Sequence, residues 1–250
     1  MIIDSHTHIG TYAQRTRPGQ QLVERMQSLG IDKATVFTSK GLRSDPRAGN
    51  DRLASAAGRY PGILYPWATV DPRQGEAAAV ELRRAVTELG MGGLKLHPWL
   101  QGFSIANPGM DIVMEEVVRL GIPVIFHDGS PPWATPLQIA NLARRYPTVP
   151  VILGHGGLRE LWPDALLAAR QLDNLWLGTS GVPFHGLQQM VDTLGPERIL
   201  FGTDGPAGHP STMAYRLGVV LAVMKALRTS DAAQEAILGG NMARLLGLNV

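Results

Sequence analysis

The chain has 250 residues, 44% of them hydrophobic and 18% charged, and its formal net charge is +2. That is enough apolar material to bury a core in one large domain, and too small a charge excess to argue for nucleic acid or a membrane surface as a partner. There is no cysteine, so disulfides and thiolate metal sites are excluded and any transition metal must be held by His, Asp, Glu or a modified Lys.

No composition shift or low-complexity tract divides the sequence, which predicts a single domain over residues 1–250. The N-terminus lacks the charged start and apolar core of a signal peptide, and no apolar run approaches a membrane span. The expectation is a soluble, cytoplasmic protein. In chain order, eight short apolar runs stand out: "MIIDSH", "KATVFTS", "GILYPWATV", "GGLKLHP", "IPVIFHDG", "VPVILGHGG", "NLWLGTSG" and "RILFGTDG". Amphipathic segments separate them, among them "QQLVERMQSLG", "EAAAVELRRAVTELG", "MDIVMEEVVRLG" and "TPLQIANLARRY". Several end in glycine (Gly30, Gly90, Gly121), as helix C-termini often do.

Near-continuous apolar strands alternating with helices indicate parallel βαβ units. Eight of them in a chain of this size predict an α/β fold, the (β/α)8 TIM barrel. A doubly wound open sheet would call for a glycine-rich phosphate loop after the first strand, and "DSHTHIG" is not one. The closing "SDAAQEAILGGNMARLLGL" predicts an extra C-terminal helix.

In such a barrel the active site lies at the C-terminal ends of the strands. The first run ends in His6 and His8, two residues apart and so on one side of a strand. The fourth ends in Lys95 and His97, the fifth in His127 and Asp128, the sixth in His155, the seventh in Thr179 and Ser180, and the eighth in Asp204. Five of the seven histidines therefore fall at strand ends. The pair His6 and His8 is expected to bind a metal, since two adjacent imidazoles repel once protonated, and His127 and Asp204 sit at equivalent depth. His155 is a site residue, either a ligand or a proton carrier. His97 is followed by Pro98 and either faces the substrate or shapes the loop. Asp4 shares the face of the histidine pair at greater depth and could hydrogen-bond a ligating imidazole. His185 and His209 precede helices and are expected to face solvent. Trp67, Trp99 and Trp133 near strand ends suit either an aromatic wall for a flat substrate or packing of the loops on the rim.

The ordered set "DSHTH", "GGLKLHP", "FHDG", "GHGG", "TSG", "FGTDGP" and "NMARLLGL" resembles the amidohydrolase superfamily. The nearest part of it is the branch of amidohydrolase-related hydrolases and aminocarboxymuconate-semialdehyde decarboxylase-like enzymes. The resemblance implies one divalent metal, zinc before manganese, bound by His6, His8, His127 and Asp204, with His155 facing the substrate or the bound water. Imidazole and carboxylate donors suit such a site. Two-metal members use a carboxylated lysine at the end of the fourth strand, where Lys95 stands, but "KLHP" accords with the single-metal branch.

Two reactions fit this shell. The first is hydrolysis of an amide, lactone or related bond by activated water, with Asp204 moving the proton and His155 polarising the carbonyl. Lys95, or Arg43 or Arg47 from the loop after the second strand, would hold a substrate carboxylate, with His97, Trp99 and Trp133 as further contacts. The alternative is non-oxidative decarboxylation of an unsaturated or aromatic acid. Because 250 residues leave little room for a lid over the barrel, hydrolysis is the main expectation. A metal-dependent nuclease would call for an acid in "GGLKLHP", which has none, and a non-catalytic scaffold would be expected to lack one of the ligands. A small-molecule substrate and pairing into a homodimer complete the expectations.

Overall fold

A computed structural model describes residues 1–12, 15–39, 41–42, 44–206 and 211–248; of residues 11, 12 and 15–17 only the backbone is described. Each of the eight apolar runs carries a strand: β1 (Ile3–Tyr12), β3 (Lys33–Thr38), β4 (Leu64–Pro66), β5 (Leu94–Leu96), β6 (Val124–Phe126), β7 (Val151–Leu153), β8 (Leu175–Gly178) and β9 (Ile199–Leu200). The short β2 (Arg15–Arg17) folds back antiparallel on the end of β1. Two parallel sheets result, ordered β2-β1-β3-β4 and β5-β6-β7-β8-β9. They join at both seams. Ala68 bridges to Leu94 and Thr7 to Gly205, so the eight parallel strands close into a barrel.

The helices fill the connections: α1 (Gly19–Ser28), α2 (Pro46–Ala57), α3 (Glu76–Thr87), α4 (Pro98–Gln101), α5 (Gly109–Leu120), α6 (Pro136–Arg145), α7 (Trp162–Ala169), α8 (Phe184–Leu194) and α9 (Thr212–Leu227). Local chemistry starts and stops them. Asp45 caps α2 by accepting from the Ala48 amide, and Thr135 with Gln138 forms a capping box on α6. Gly121 ends α5 in the left-handed conformation, at φ 64°. The closing segment is helical as expected, but it is wound in three pieces: α10 (Asp231–Glu235), a π turn (Ala236–Gly240) and α11 (Asn241–Leu245). Among the described residues no helix is long and apolar enough to cross a membrane.

Alternation along each strand splits the core in two. Val36, Ala68, Leu94, Leu96, Val124, Phe126, Val151 and Leu153 face the helices. Ile3, Phe37, Trp67, Ile125, Ile152 and Leu200 fill the barrel interior. The interior is crowded by two large rings that glycines make room for. A Cβ on Gly93 would lie 2.6 Å from the Trp67 indole, and one on Gly154 would lie 2.9 Å from the His6 ring. Trp67 is thus a core residue and lines no substrate wall. Its position just beyond β4 points it inward beside Phe37, with ring centroids 6.0 Å apart.

Candidate metal centre

β1 brings His6 and His8 into the upper barrel, and the segment after β9 brings Asp204 against them. Unlike the expectation, the two histidines lie inside a strand and do not end one, because β1 runs on to Tyr12 to pair with β2. Between Asp4 and Thr7 the register of β1 with β3 shifts. Such an irregularity re-aims side chains locally. The Asp204 amide donates to the His6 carbonyl at 2.8 Å, and the His8 amide donates to the Gly205 carbonyl at 2.7 Å. The two strands are therefore laced together by main-chain bonds at the functional residues.

Asp204 Oδ1 lies 3.5 Å from His6 Nε2 and 3.3 Å from His8 Nε2. One ligand atom from each of the three lies within 4.8 Å of the others. His6 Nδ1 donates to the Gly154 carbonyl at 3.2 Å. A carbonyl can only accept, so the proton is on Nδ1 and the Nε2 lone pair is turned toward Asp204 and Lys95. Burial, with the Lys95 charge beside it, pushes the His6 imidazolium well below the ordinary histidine range, and burial also lowers His8 against the pull of Asp204. Burial opposes ionisation of Asp204, but the hydrogen bond from His8 and the positive charge around it outweigh that and hold its carboxyl down. Two neutral imidazoles and one carboxylate fit a divalent cation of the zinc–manganese type.

Lys95, fully buried on β5, brings Nζ to 3.1 Å from His6 Nε2 and 5.0 Å from the centre of the Phe37 ring. Burial pushes its ammonium down to about 8, against the attraction of Asp204 and Asp128. The remaining histidines pack as a neighbouring group. His155 lies 4.7 Å from His6 and 4.4 Å from His127 between ring centroids. Its Nδ1 donates to the Ser180 carbonyl at 2.6 Å. His127 stacks on His97 at 3.8 Å and holds Ser130 Oγ at 2.9 Å through Nε2. His127 thus sits next to the three-residue cluster and is turned to its own loop. His97 caps α4, accepting from the Leu100 amide on Nδ1, which is the loop-shaping alternative raised by Pro98.

Other expectations resolve by position. Asp4 makes no bond to an imidazole: its carboxylate accepts from the His6 amide, the Thr203 amide and the Thr203 hydroxyl, at 3.1, 3.0 and 2.5 Å. Burial pushes it up to about 7 against those donors. Arg47 is tied to Glu81 at 2.9 Å, whereas Arg43 and His209 lie outside the described residues. His185 is exposed, with its ring against Trp162. Trp99 and Trp133 are exposed at the barrel mouth, Trp99 within 5.9 Å of the His97 ring.

Three contributors had no role assigned to them from the sequence. Asp128 accepts from the His155 and Gly157 amides at 2.6 and 2.5 Å and so positions the "GHGG" turn. Ser180 Oγ donates to the Gly154 carbonyl at 2.7 Å and lies 3.1 Å from His155 Nδ1. Phe37 presents its ring to both His6 and His8, 5.3 and 5.4 Å between centroids. Asp128 and Ser180 stand at strand ends in the sequence, and the alternation in "KATVFTS" puts Phe37 on the inner face.

Residues 3–248 match the model of the family described as amidohydrolase. The chain belongs to the amidohydrolase family. Within the curated relatives, this amidohydrolase is 27% identical over 217 residues to a gamma-resorcylate decarboxylase of Rhodococcus jostii, covering 64% of the chain and 65% of that protein. It is 23% identical over 240 residues to a 2-amino-3-carboxymuconate-6-semialdehyde decarboxylase of Dictyostelium discoideum, covering 80% of the chain and 66% of the relative. The chain thus spans just under two thirds of the length of these relatives. Its fold matches a dihydroxybenzoic acid decarboxylase from a Polaromonas species with bound manganese and the inhibitor 2-nitroresorcinol, at TM-score 0.76 and 20% identity over 100% of this chain and 97% of the other. These relatives overturn the expectation of hydrolysis. They carry names of carbon–carbon lyases, and the small size of this chain, which favoured hydrolysis, says nothing about the reaction.

Proposed function

We propose that this amidohydrolase-family protein is a metal-dependent, non-oxidative decarboxylase of an aromatic or unsaturated carboxylic acid bearing a neighbouring hydroxyl. The convergence of His6, His8 and Asp204, with Asp204 within 3.5 Å of both imidazoles, supports the metal dependence, and the decarboxylase names of the curated relatives carry the choice of reaction. His6, His8 and Asp204, with His127 as fourth donor, would hold one zinc or manganese ion. The ion would supply a fixed positive charge toward the oxygens of the substrate.

Asp204 is the proton carrier of this scheme. Held ionised, it takes the proton of the substrate hydroxyl as that group docks. The carbon–carboxyl bond then breaks, its electron pair stays on carbon, and Asp204 returns the proton to that carbon as carbon dioxide leaves. Solvent reprotonates the product oxygen. His155, fixed by Ser180, orients the substrate hydroxyl toward Asp204. Lys95 supplies positive charge that draws an acid into the barrel, and His97, Trp99 and Trp133 line its mouth. The test is to load purified protein with zinc or manganese, measure metal per chain by elemental mass spectrometry, and supply hydroxybenzoates, unsaturated diacids, lactones and amides. Release of carbon dioxide from an acid is the expected result. Cleavage of lactones or amides with no carbon dioxide from any acid would overturn the proposal.

A further inference from the structure

Among the described residues, the side chain of Lys95 has one hydrogen-bond partner, and that partner is a proposed metal ligand. Leu94 and Leu96 on either side of it face the helices, so alternation turns Lys95 inward. Its backbone is held on both edges. The amide donates to the Ala68 carbonyl at 2.7 Å, and β5 pairs with β6 at Lys95↔Ile125. The side chain is covered, the residue being 1% exposed, and Nζ rests 5.0 Å from the centre of the Phe37 ring.

An ammonium carries three donors and no acceptor, and burying one without partners is costly. The two carboxylates whose charge attracts Lys95 are Asp204 and Asp128, and both are committed elsewhere. Asp128 accepts from the His155 and Gly157 amides, and Asp204 Oδ1 lies against the two imidazoles. Lys95 Nζ turns instead to His6 Nε2 at 3.1 Å.

The sense of that contact follows from the other side of the ring. His6 Nδ1 donates to the Gly154 carbonyl, so Nε2 accepts and Lys95 donates. A neutral imidazole offers one lone pair at that nitrogen, and a metal ion held by it takes the same lone pair. Lys95 and a metal ion are therefore alternative partners of a single atom. Both are cations in a buried setting, where like charges repel more strongly than in water.

We propose that Lys95 couples metal uptake to binding of the acid: it gives up His6 Nε2 as the ion binds, and the ammonium so released goes to the carboxylate of the substrate. The inference rests on the reading of His6 as a ligand and of the substrate as an acid, and makes no use of the reaction. An ammonium released within the barrel needs a new acceptor, and an incoming anion is one. Each ligand then strengthens binding of the other, by the same factor in both directions. While Lys95 stays on His6, the acid is held weakly.

The experiment uses the full chain, stripped with a chelator and reloaded with zinc or manganese. The acid is benzoate, which lacks the hydroxyl that the reaction needs. Metal affinity is read by competition with a coloured chelator, with and without benzoate, for wild type and Lys95→Met. Removing the ammonium is expected to tighten metal binding about tenfold, the size of one hydrogen bond to a charged group. A lysine that only supported the fold would loosen it. Benzoate is expected to tighten metal binding about tenfold in wild type and little in Lys95→Met. Nitrogen-15 spectra of the lysine ammonium groups follow the contact in wild type itself, so the test survives a variant that fails to fold. One buried ammonium signal is expected to move when zinc is added and again with benzoate. Metal affinity unchanged or weakened in folded Lys95→Met overturns the proposal. So do equal benzoate effects in the two proteins, or an ammonium signal that ignores zinc. Wild type that binds neither metal overturns this proposal and the metal-dependent reading together. Coupling through Lys95 with no carbon dioxide from any acid would remove the reaction and leave the coupling standing; carbon dioxide release without the coupling would do the reverse.

Discussion

Asp204 has φ 57°, in the left-handed region that costs most residues about 1 kcal/mol or more and that Asp tolerates better than most. The main-chain bond from its amide to the His6 carbonyl holds it there, and the effect is to turn its carboxylate onto both Nε2 atoms. Strain kept at such a position is characteristic of functional sites. The residues of the cluster divide cleanly in what their loss should do. His8→Ala removes a ligand atom from a half-buried site at the barrel mouth and is expected to lose bound metal and activity while circular dichroism remains that of a folded barrel. Full activity in metal-free His8→Ala protein would rule out the proposed chemistry. His127→Ala decides the fourth donor. Metal content falling to that of His8→Ala is the expected outcome, and retention of one ion per chain would confine the centre to His6, His8 and Asp204.

At the scale of elements, α3 and α5 are joined across their outer faces by a buried carboxylate. Glu116 of α5 receives both guanidinium nitrogens of Arg83, at 2.8 Å each, and Arg119 at 2.6 Å. These donors hold its carboxyl below the usual range against the cost of burial. A depressed folded value stabilises the native state above the ordinary carboxylate pKa of ~4.3, and the contribution is lost as pH falls through the folded value. Glu116→Gln is therefore expected to be less stable than wild type at about pH 6. It should also lose less stability than wild type between about pH 6 and pH 3, a comparison urea unfolding makes directly. Equal losses in the two proteins would show that Glu116 takes no part in acid unfolding. The element scale also explains where sequence reading stopped. Periodicity located all eight barrel strands. It did not show that β1 runs past its histidines, since the extension depends on pairing with β2. The π turn in the last helical segment, against which Met1 and Ile3 pack closely at Gly239, depends likewise on tertiary packing.

The whole molecule is a closed ring, and its last seam is the one that carries His6, His8 and Asp204. Ser5 donates its amide to the Phe201 carbonyl at 2.9 Å, and Asp4 ties β1 to the chain after β9 through Thr203. Asp4→Ala would leave the Thr203 amide, the Thr203 hydroxyl and the His6 amide without their acceptor, in a fully buried setting. The expected cost is roughly 2–4 kcal/mol of folding stability, measured by chemical denaturation of metal-free protein. A cost near zero would mean that the seam closes without it. The arrangement makes one carboxylate responsible for both closure and the placement of His6, so stability and metal affinity should fall together.

Read alone, the sequence supplies the barrel and the set of polar residues that end its strands. Both are periodic properties. Strand and helix alternate along the chain, and in this fold the polar residues at strand ends converge whatever the loops do. Hence His6, His8, Lys95, His155 and Asp204 could be named as neighbours before any distance was known. Only the tertiary structure decided which of them touch. Lys95 against His6, His127 turned to Ser130 and Asp128 spent on backbone amides all depend on cross-strand spacing and rotamer packing, which residue spacing does not encode. The choice between lyase and hydrolase lies beyond both kinds of reading, since one set of imidazoles and carboxylate serves either reaction; the names of the relatives are what favour the lyase proposed above.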